Sequence, residues 1–265
     1  MLEIWTGFWL KSVARCNQND AVYDGLFEKT HLSNEVLDDN FLYYPELFTF
    51  LRELKANNNR EWFEANKRRY EKQVREPLLD FVSDFGLRLP EISPYYVADA
   101  RKSGGSLFRI YRDVRFSKDK SPYKTHAGIQ FRHARGRDVH APGFYLHLEP
   151  EEVFAGVGIW HPDNQTLGKI RDAIVDDPDR WLAVKTDAAF TRTFDLRGDS
   201  LIRPPKGYEA DHPHIEDLKR KDFIAVATYS EVDAVRPEFI DEFAGCCRNA
   251  SPFMAFLTTS IGLPW

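Results

Sequence analysis

The stretch GFYLHLEPEEVFAGVGIW, residues 143–160, decides the fold. Its first part alternates apolar Phe or Leu with Tyr145, His147 and Glu149. Such alternation places successive side chains on opposite faces of a β-strand, so that one face is apolar and the other polar. The letters PEE predict a turn, and VFAGVGIW predicts a second strand. The stretch therefore predicts an antiparallel hairpin.

Three more stretches predict strands that pair with this hairpin. LFRIYRDVRFS (107–117) and residues 123–133 precede it, and both alternate apolar and polar positions. FIAVATY (223–229) follows it and is rich in apolar and β-branched residues. We therefore expect an antiparallel meander sheet of about four to five strands.

Helical periodicity precedes the predicted strands. PELFTFLRELKA (45–56) has apolar residues at helical spacing. Asn58, followed by Glu61, resembles a capping box that begins a second helix. We expect Pro77 to kink or divide that helix, and Gly86 and Pro90 to close the region.

Helices are also predicted after the strands. The pattern breaks at Asp177-Pro178 into two helices, and residues 237–259 predict a closing helix. Helices, then a run of strands, then helices again is typical of an α+β fold. We predict a single α+β domain over residues 44–265. Residues 1–43 have weak periodicity, so we expect an N-terminal extension that is partly ordered or that results from a mis-set start.

The charge of the chain is unevenly distributed. The formal net charge is −5, yet residues 101–137 hold eleven Lys or Arg against two Asp, a local charge of +9. The rest of the chain therefore carries −14. A basic block of this kind attracts anions. A solvated basic hairpin balanced by acidic neighbours would have the same composition.

Cysteine usage and hydropathy limit where the protein acts. Cys16, Cys246 and Cys247 form neither a CxxC pair nor a disulfide framework, which favours a reducing, cytoplasmic location. No apolar run is long enough to predict a membrane-spanning helix, and the N-terminus lacks the pattern of a signal peptide. We expect no membrane partner.

The candidate ligand-binding residues lie mainly in the basic block. On the predicted strand Arg109, Asp113 and Arg115 share one face, where Asp113 can orient both arginines towards a phosphate or carboxylate. Arg112 shares the apolar face, so we expect it to make a structural ion pair with Glu61 or Glu64. The alternative for the face with Arg109, Asp113 and Arg115 is an exposed strand face with weak ion pairs. The predicted ligand-binding set is Arg109, Asp113, Arg115, Lys118, Lys120, Tyr123, Lys124 and Lys206.

Tyr145, His147 and Glu149 are the candidate catalytic residues, because they share one strand face. A His and a Glu two positions apart can act as an acid–base pair or as two metal ligands. A 2-His-1-carboxylate metal centre is an alternative, but the chain has no HExxH motif and no cysteine pair. We therefore predict no metal site, and nothing indicates a particular cofactor. Further histidines that could add ligands are His126, His133, His140 and His161.

Four stretches resemble a known family. They are FLRELKANNNREWFEANKRRYE, FRIYRDVRFSKDKSPYKTHAGIQFRH, GFYLHLEPEEVFAGVGIW and RPPKGYEADHPHIEDLKRKDF. Together they resemble the bacterial and fungal proteins known as domain of unknown function 2461, over roughly residues 45–265. The resemblance implies a cytoplasmic domain of mixed α and β structure and assigns no reaction and no residue role.

The residues leave three functions open. We favour binding of a small anionic ligand at the basic strand and loop, with catalysis as an option. A nucleic-acid-binding module is an alternative, because basic and aromatic residues on a sheet bind single strands. The acidic chain and the lack of an RNP-type pattern disfavour it. The third is a structural or protein-interaction domain without a ligand.

Overall fold

Six strands form one antiparallel sheet in the part of the chain that the structure, a computed structural model, describes: residues 46–136 and 140–265. In chain order they are β1 (Tyr96–Val97), β2 (Ala127–His133), β3 (Gly143–Glu149), β4 (Glu152–Ile159), β5 (Asp195–Arg197) and β6 (Phe223–Tyr229). Their order across the sheet is β1-β2-β3-β4-β6-β5. The predicted hairpin is β3–β4, and FIAVATY is β6, which pairs with β4. The extension predicted for residues 1–43 lies outside the described residues.

Helices precede and follow the strands, which confirms the α+β class. They are α1 (Glu46–Ala56), α2 (Arg60–Tyr70), α3 (Glu76–Ile92), α4 (Asn164–Asp176), α5 (Pro178–Lys185), α6 (Ala188–Thr193), α7 (Ile215–Leu218), α8 (Glu231–Ala234), α9 (Phe239–Asn249) and α10 (Ser251–Ser260). A π-helical turn, Glu71–Arg75, joins α2 to α3. The predicted break at Asp177-Pro178 is confirmed, since Asp177 caps α5 by accepting from the Arg180 amide. The prediction of a single closing helix is wrong, because α9 and α10 are separate helices with Ala250 between them.

The predicted ends of the early helices need correction. Asn59, and not Asn58, caps α2 by accepting from the Trp62 amide. The interruption before Pro77 is the π-helical turn, and Pro77 sits in the first turn of α3, where its missing N–H costs no hydrogen bond. Helix α3 continues through Gly86 and Pro90 to Ile92. Its apolar face is buried along its whole length, and this burial outweighs the two weak helix formers.

Residues 107–117 do not form the predicted strand. Leu107 and Tyr111 make isolated bridges to Ile129 and Tyr123, and the backbone between them is irregular. The Arg112 amide donates to the carbonyl of Pro122, which has no N–H to return a bond, so the ladder stops there. The strand predicted from residue 123 therefore begins only at Ala127.

The two faces of the sheet have different partners. One face packs on the helices through aromatic contacts such as Phe85–Phe131, with ring centroids 4.4 Å apart. The other face carries a smaller apolar cluster that includes Tyr145 and Phe154, with Phe108 packed against it. The polar residues of β3 lie on this second face, away from the main core. This placement decides where the candidate site lies.

The helices and the cysteines of the described residues both bear on function. None of its helices is long and apolar enough to cross a membrane. Cys246 and Cys247 on α9 are buried free thiols. Burial raises the pKa of Cys246 to about 12, so its thiolate is scarce at neutral pH and it is a poor nucleophile.

Candidate functional site

The register of β2 on β3 builds the candidate site. Gly128 pairs with His147, and Gln130 pairs with Tyr145. Even-numbered positions of β2 therefore share a face with odd-numbered positions of β3. Gly128 is required here, because a Cβ on it would lie 2.6 Å from the Tyr145 hydroxyl. The missing side chain gives the phenol room to reach its neighbour.

The three predicted catalytic residues form one hydrogen-bonded chain. The Tyr145 Oη lies 3.0 Å from His147 Nδ1, and His147 Nε2 lies 3.4 Å from Glu149 Oε2. Thr125 Oγ1 donates to Glu149 Oε1 at 2.7 Å. All three predicted residues are buried. We call this the Tyr145–His147–Glu149 chain.

The direction of these hydrogen bonds follows from Glu149. Burial alone would raise the pKa of Glu149, but hydrogen bonds from His147 and Thr125 and the charge of Lys55 hold it below its ordinary value. Glu149 is therefore an ionised acceptor, so a neutral His147 must donate from Nε2. Its Nδ1 then accepts the hydroxyl proton of Tyr145. The chain can move a proton from the phenol end to the carboxylate end.

The carboxylate end of the chain approaches the surface. Lys55 Nζ, on an exposed side chain, lies 3.9 Å from Glu149 Oε1. Glu149 and Glu152 are paired across the β3–β4 turn. Burial and the nearby Glu149 charge raise the pKa of Glu152 above its ordinary value, although His147 and Lys55 act against them. Two neighbouring carboxyls with oppositely shifted pKa values are suited to exchange a proton.

Positive charge surrounds the other side of the chain. The His126 ring stacks on the His147 ring with centroids 4.6 Å apart. Burial holds the pKa of His126 well below its ordinary value, and the charges of Lys124 and Arg112 lower it further. Lys124 is itself buried, with its Nζ 5.3 Å from the centre of the Phe108 ring. Lys124 therefore places a buried positive charge beside the stacked rings.

Acid is expected to destabilise the protein through His126. In the unfolded chain its pKa returns to about 6.5, so below that pH the unfolded state binds a proton that the folded state excludes. The contribution is present above pH 6.5 and is lost as the pH falls, by up to about 1.4 kcal/mol per pH unit. Urea unfolding at about pH 7.5 and about pH 5.5 measures it.

His126→Asn is the matched variant for this measurement, and it should flatten the pH dependence. A smaller slope should remain from His133, whose pKa burial also lowers. An unchanged slope in His126→Asn would show that His126 is not held neutral.

Most of the remaining predicted ligand-binding residues lie on the loop that contains residues 109–120. Asp113 pairs with Arg115, whose Nε donates to it at 2.8 Å, and among the described contacts it does not orient Arg109. Lys120 donates to the Val114 carbonyl at 2.9 Å. Their side chains lie on an exposed loop, as do Arg109 and Lys118.

Three other predictions in this region have different outcomes. Tyr123 is buried, and its ring stacks on Phe63 with centroids 4.0 Å apart. Lys206 lies on the loop after β5, which packs on α4 through the Tyr208–Asp172 hydrogen bond. Arg112 makes an ion pair as expected, but its partner is Asp119 and not Glu61 or Glu64. Of the predicted cations, only Lys124 is placed at the Tyr145–His147–Glu149 chain.

Three residues of the cluster could hold a metal ion. His126, His147 and Glu149 each offer one ligand atom, and these atoms lie within 4.8 Å of one another. Neutral imidazoles and an ionised carboxylate suit a divalent ion. The charges of Lys124 and Lys55 oppose a cation there, whereas the ionised Glu149 favours one. The absence of a metal site stays a prediction.

Three members of the cluster were not among the predicted site residues. Thr125 and Glu152 received no role, and His126 entered only as an optional metal ligand. Paired antiparallel positions have a constant sum of residue numbers, so the register that pairs Gly128 with His147 also places His126 opposite Glu149. That register was the missing signal, because alternation alone does not fix which residues face each other.

Comparison with known proteins gives one match. A family model described as "Conserved hypothetical protein (DUF2461)" matches residues 46–256. This confirms the resemblance that the four sequence stretches indicate. No curated protein and no solved structure matches the chain.

Proposed function

The chain belongs to the DUF2461 family of conserved hypothetical proteins. From its own site, we propose that the protein binds a small phosphate- or carboxylate-bearing ligand at Lys124. We propose that the protein then exchanges a proton with this ligand. The Tyr145–His147–Glu149 chain carries the proton. The observation that carries this proposal is the buried Lys124 beside the buried, hydrogen-bonded Tyr145–His147–Glu149 chain.

The anionic group of the ligand is assigned to Lys124. Phe108 lies beside both parts of the site, since its ring centre is 5.3 Å from Lys124 Nζ and 6.2 Å from the ring centre of Tyr145. Phe108 thus links the two groups, and the proposed ligand extends from the ammonium group towards the phenol. In a buried site a charge pair of this kind is worth more than the same pair at the surface.

The proposed proton transfer keeps Tyr145 neutral. Burial, with the nearby Glu149 and Glu152 charges, raises the pKa of Tyr145, so a tyrosinate is not a stable intermediate. The ligand proton passes to the Tyr145 oxygen as the hydroxyl proton of Tyr145 passes to His147 Nδ1. The Nε2 proton of His147 passes to Glu149 in the same event. The reverse sequence delivers a proton to the ligand.

Thermal unfolding in inorganic phosphate and in acetate tests the anion site. Either anion should raise the Tm of the wild-type protein relative to chloride at the same ionic strength. At one hundred times the Kd, binding adds about 2.7 kcal/mol. We expect Lys124→Met to lose this shift, because it removes the buried charge.

Lys118→Met is the matched control, because Lys118 is an exposed lysine in the same basic segment. It should keep the full shift. A shift that is lost in Lys118→Met but kept in Lys124→Met would place the anion on the exposed loop and reject the buried site. No shift with either anion would reject the proposal.

One observation favours a second candidate, the binding of single-stranded nucleic acid. Phe116 is 95% exposed, and the Arg115 guanidinium lies 5.8 Å from the centre of its ring. An exposed ring beside exposed cations is a stacking platform for a base. This function requires affinity that falls steeply with salt and that depends on Phe116 and not on Lys124.

A further inference from the structure

A second polar site lies at the edge of the sheet, where a loop packs on β1 and β2. Residues 99–106 follow β1 in the chain, and Ser106 is hydrogen-bonded to β2 through its backbone. Arg132 lies near the end of β2, five positions after Ala127, where the strand begins. At the rise of a strand these positions span roughly 17 Å, and Lys124 precedes Ala127. The second site is therefore separate from the anion site proposed at Lys124.

The loop and the two strands line a small polar cavity. Its volume is about 180 Å³, and its lining includes Asp99, Ser106 and Arg132. The size of this cavity limits what it can hold. An engineered cavity of roughly 150 Å³ in the apolar core of another protein holds benzene. A ligand of about six heavy atoms therefore fits between the loop and the strands.

The loop holds Asp99 and Ser106 against each other. The Ser106 amide donates to the Asp99 carbonyl oxygen at 2.7 Å, and the Asp99 amide donates to Ser106 Oγ at 3.0 Å. Gly105 is required at this turn, because a Cβ on it would lie 2.4 Å from the Asp99 carbonyl oxygen. Since Ser106 Oγ accepts in this pair, its own proton can be donated to a ligand. Polar groups that are already held in place cost less to order when a ligand binds.

Opposite charges line this cavity. Hydrogen bonds from Arg101 hold the pKa of Asp99 below its ordinary value, and the charges of Arg101 and Arg132 lower it further. Asp99 is therefore ionised at neutral pH. Its ion-pair partner is Arg101, whose side chain is 72% exposed, and not Arg132. Arg132 is thus near enough to interact with Asp99 but lies beyond ion-pair distance, so that a ligand can pair with both.

We propose that this cavity binds a small zwitterion of the α-amino acid class. The ligand carboxylate pairs with the Arg132 guanidinium, whose planar shape matches it, and accepts the hydroxyl proton of Ser106. The ligand ammonium group pairs with Asp99. Asp99 repels a simple anion and Arg132 repels a simple cation, so the cavity favours a molecule that carries both charges. The site goes beyond the anion site at Lys124 and does not depend on it.

Glycine, acetate and methylammonium are the probes, because acetate lacks the ammonium group of glycine and methylammonium lacks its carboxylate. Binding to the wild-type protein is followed by NMR of the arginine side-chain Nε–H groups. We expect glycine to shift the Arg132 Nε–H signal and to bind about 10- to 100-fold more tightly than either other probe, the range that one hydrogen bond to a charged group supplies. No shift of Arg132, or an affinity of acetate or methylammonium equal to that of glycine, would overturn the proposal without the need for any variant.

Arg132→Met and Arg101→Met form a matched pair that tests the residue itself. Arg132→Met should lose glycine binding, because it removes the charge that pairs with the carboxylate. Arg101→Met should keep glycine binding or strengthen it, because it frees the Asp99 carboxylate from its exposed partner. Binding that is lost in Arg101→Met but kept in Arg132→Met would place glycine on the exposed part of the loop and reject the cavity.

Lys124→Met distinguishes this site from the anion site. It should leave glycine binding unchanged, whereas it should abolish the effect of phosphate on the Tm. A failure of the anion site therefore does not affect the result with glycine. Glycine binding that is lost in Lys124→Met but kept in Arg132→Met would place the carboxylate at Lys124 and reject the second site.

Discussion

Gly158→Ala is expected to destabilise the protein by about 4 kcal/mol or more, or to prevent folding. Gly158 has a φ of +121°, which is strained for a residue with a side chain. A Cβ at this position would lie 2.0 Å from the Phe223 carbonyl oxygen and 3.0 Å from the Ile224 Cα. Both atoms belong to the backbone of β6, which pairs with β4 near the centre of the sheet. Neither atom can move without breaking the pairing. Urea unfolding measures the loss.

Gly168→Ala is the matched control. Gly168 lies inside α4, and no atom lies within 4 Å of a Cβ added there. Alanine is the better helix former, so this variant should gain about 0.5–1 kcal/mol. Wild-type stability of Gly158→Ala would show that β4 and β6 do not approach each other this closely at Gly158.

Glu149→Ala is expected to cost about 2–4 kcal/mol of the free energy of unfolding, because it leaves the buried His147 Nε2–H and the Thr125 hydroxyl without their acceptor. Each buried donor without a partner costs about 1–3 kcal/mol. The low pKa of Glu149 predicts how this cost depends on pH. The carboxylate stabilises the fold above pH 4.5, its value in the unfolded chain, and this contribution is lost as the pH falls through the lower folded value. The wild type and Glu149→Ala should therefore converge in acid.

Glu149→Gln distinguishes the contribution of Glu149 to stability from its effect on the direction of the hydrogen bonds. The amide oxygen can still accept from Thr125, but its NH₂ group now faces His147 Nε2. His147 then accepts at Nε2 and donates from Nδ1 to the Tyr145 oxygen, so the direction of the chain is reversed. We expect a loss of about 1 kcal/mol or less and a His147 tautomer that side-chain NMR distinguishes from the wild type. An unchanged tautomer would contradict the direction assigned to the chain.

Much of the fold could be predicted from local patterns. Strands β3 and β6 and the break between α4 and α5 are where alternation, apolar runs and Asp177-Pro178 place them. The errors occur where tertiary contacts override local preference. Helix α3 runs through Gly86 and Pro90 because its buried face outweighs them, and residues 107–117 lack regular pairing because Pro122 cannot donate. Strands β1 and β5 are too short for any periodic signal.

The candidate site was only half predictable. Alternation alone placed Tyr145, His147 and Glu149 on one face, because all three belong to a single strand. Their partners come from other elements, and the register that brings them together depends on pairing and loop geometry. Arg109, Asp113 and Arg115 are separated by even numbers of residues, which places them on one face only if that segment is a strand. It is an irregular loop, in which Asp113 still pairs with Arg115 but, among the described contacts, not with Arg109.

The most direct test of the anion site is anomalous diffraction from crystals soaked in selenate, an oxyanion with the shape of phosphate. We expect a selenium peak next to the stacked His126 and His147 rings, with selenate oxygens within hydrogen-bonding distance of Lys124 Nζ. The peak should be absent in Lys124→Met crystals. Peaks found only beside the exposed Arg115, Lys118 and Lys120, or at none of these residues, would show that Lys124 does not bind the anion.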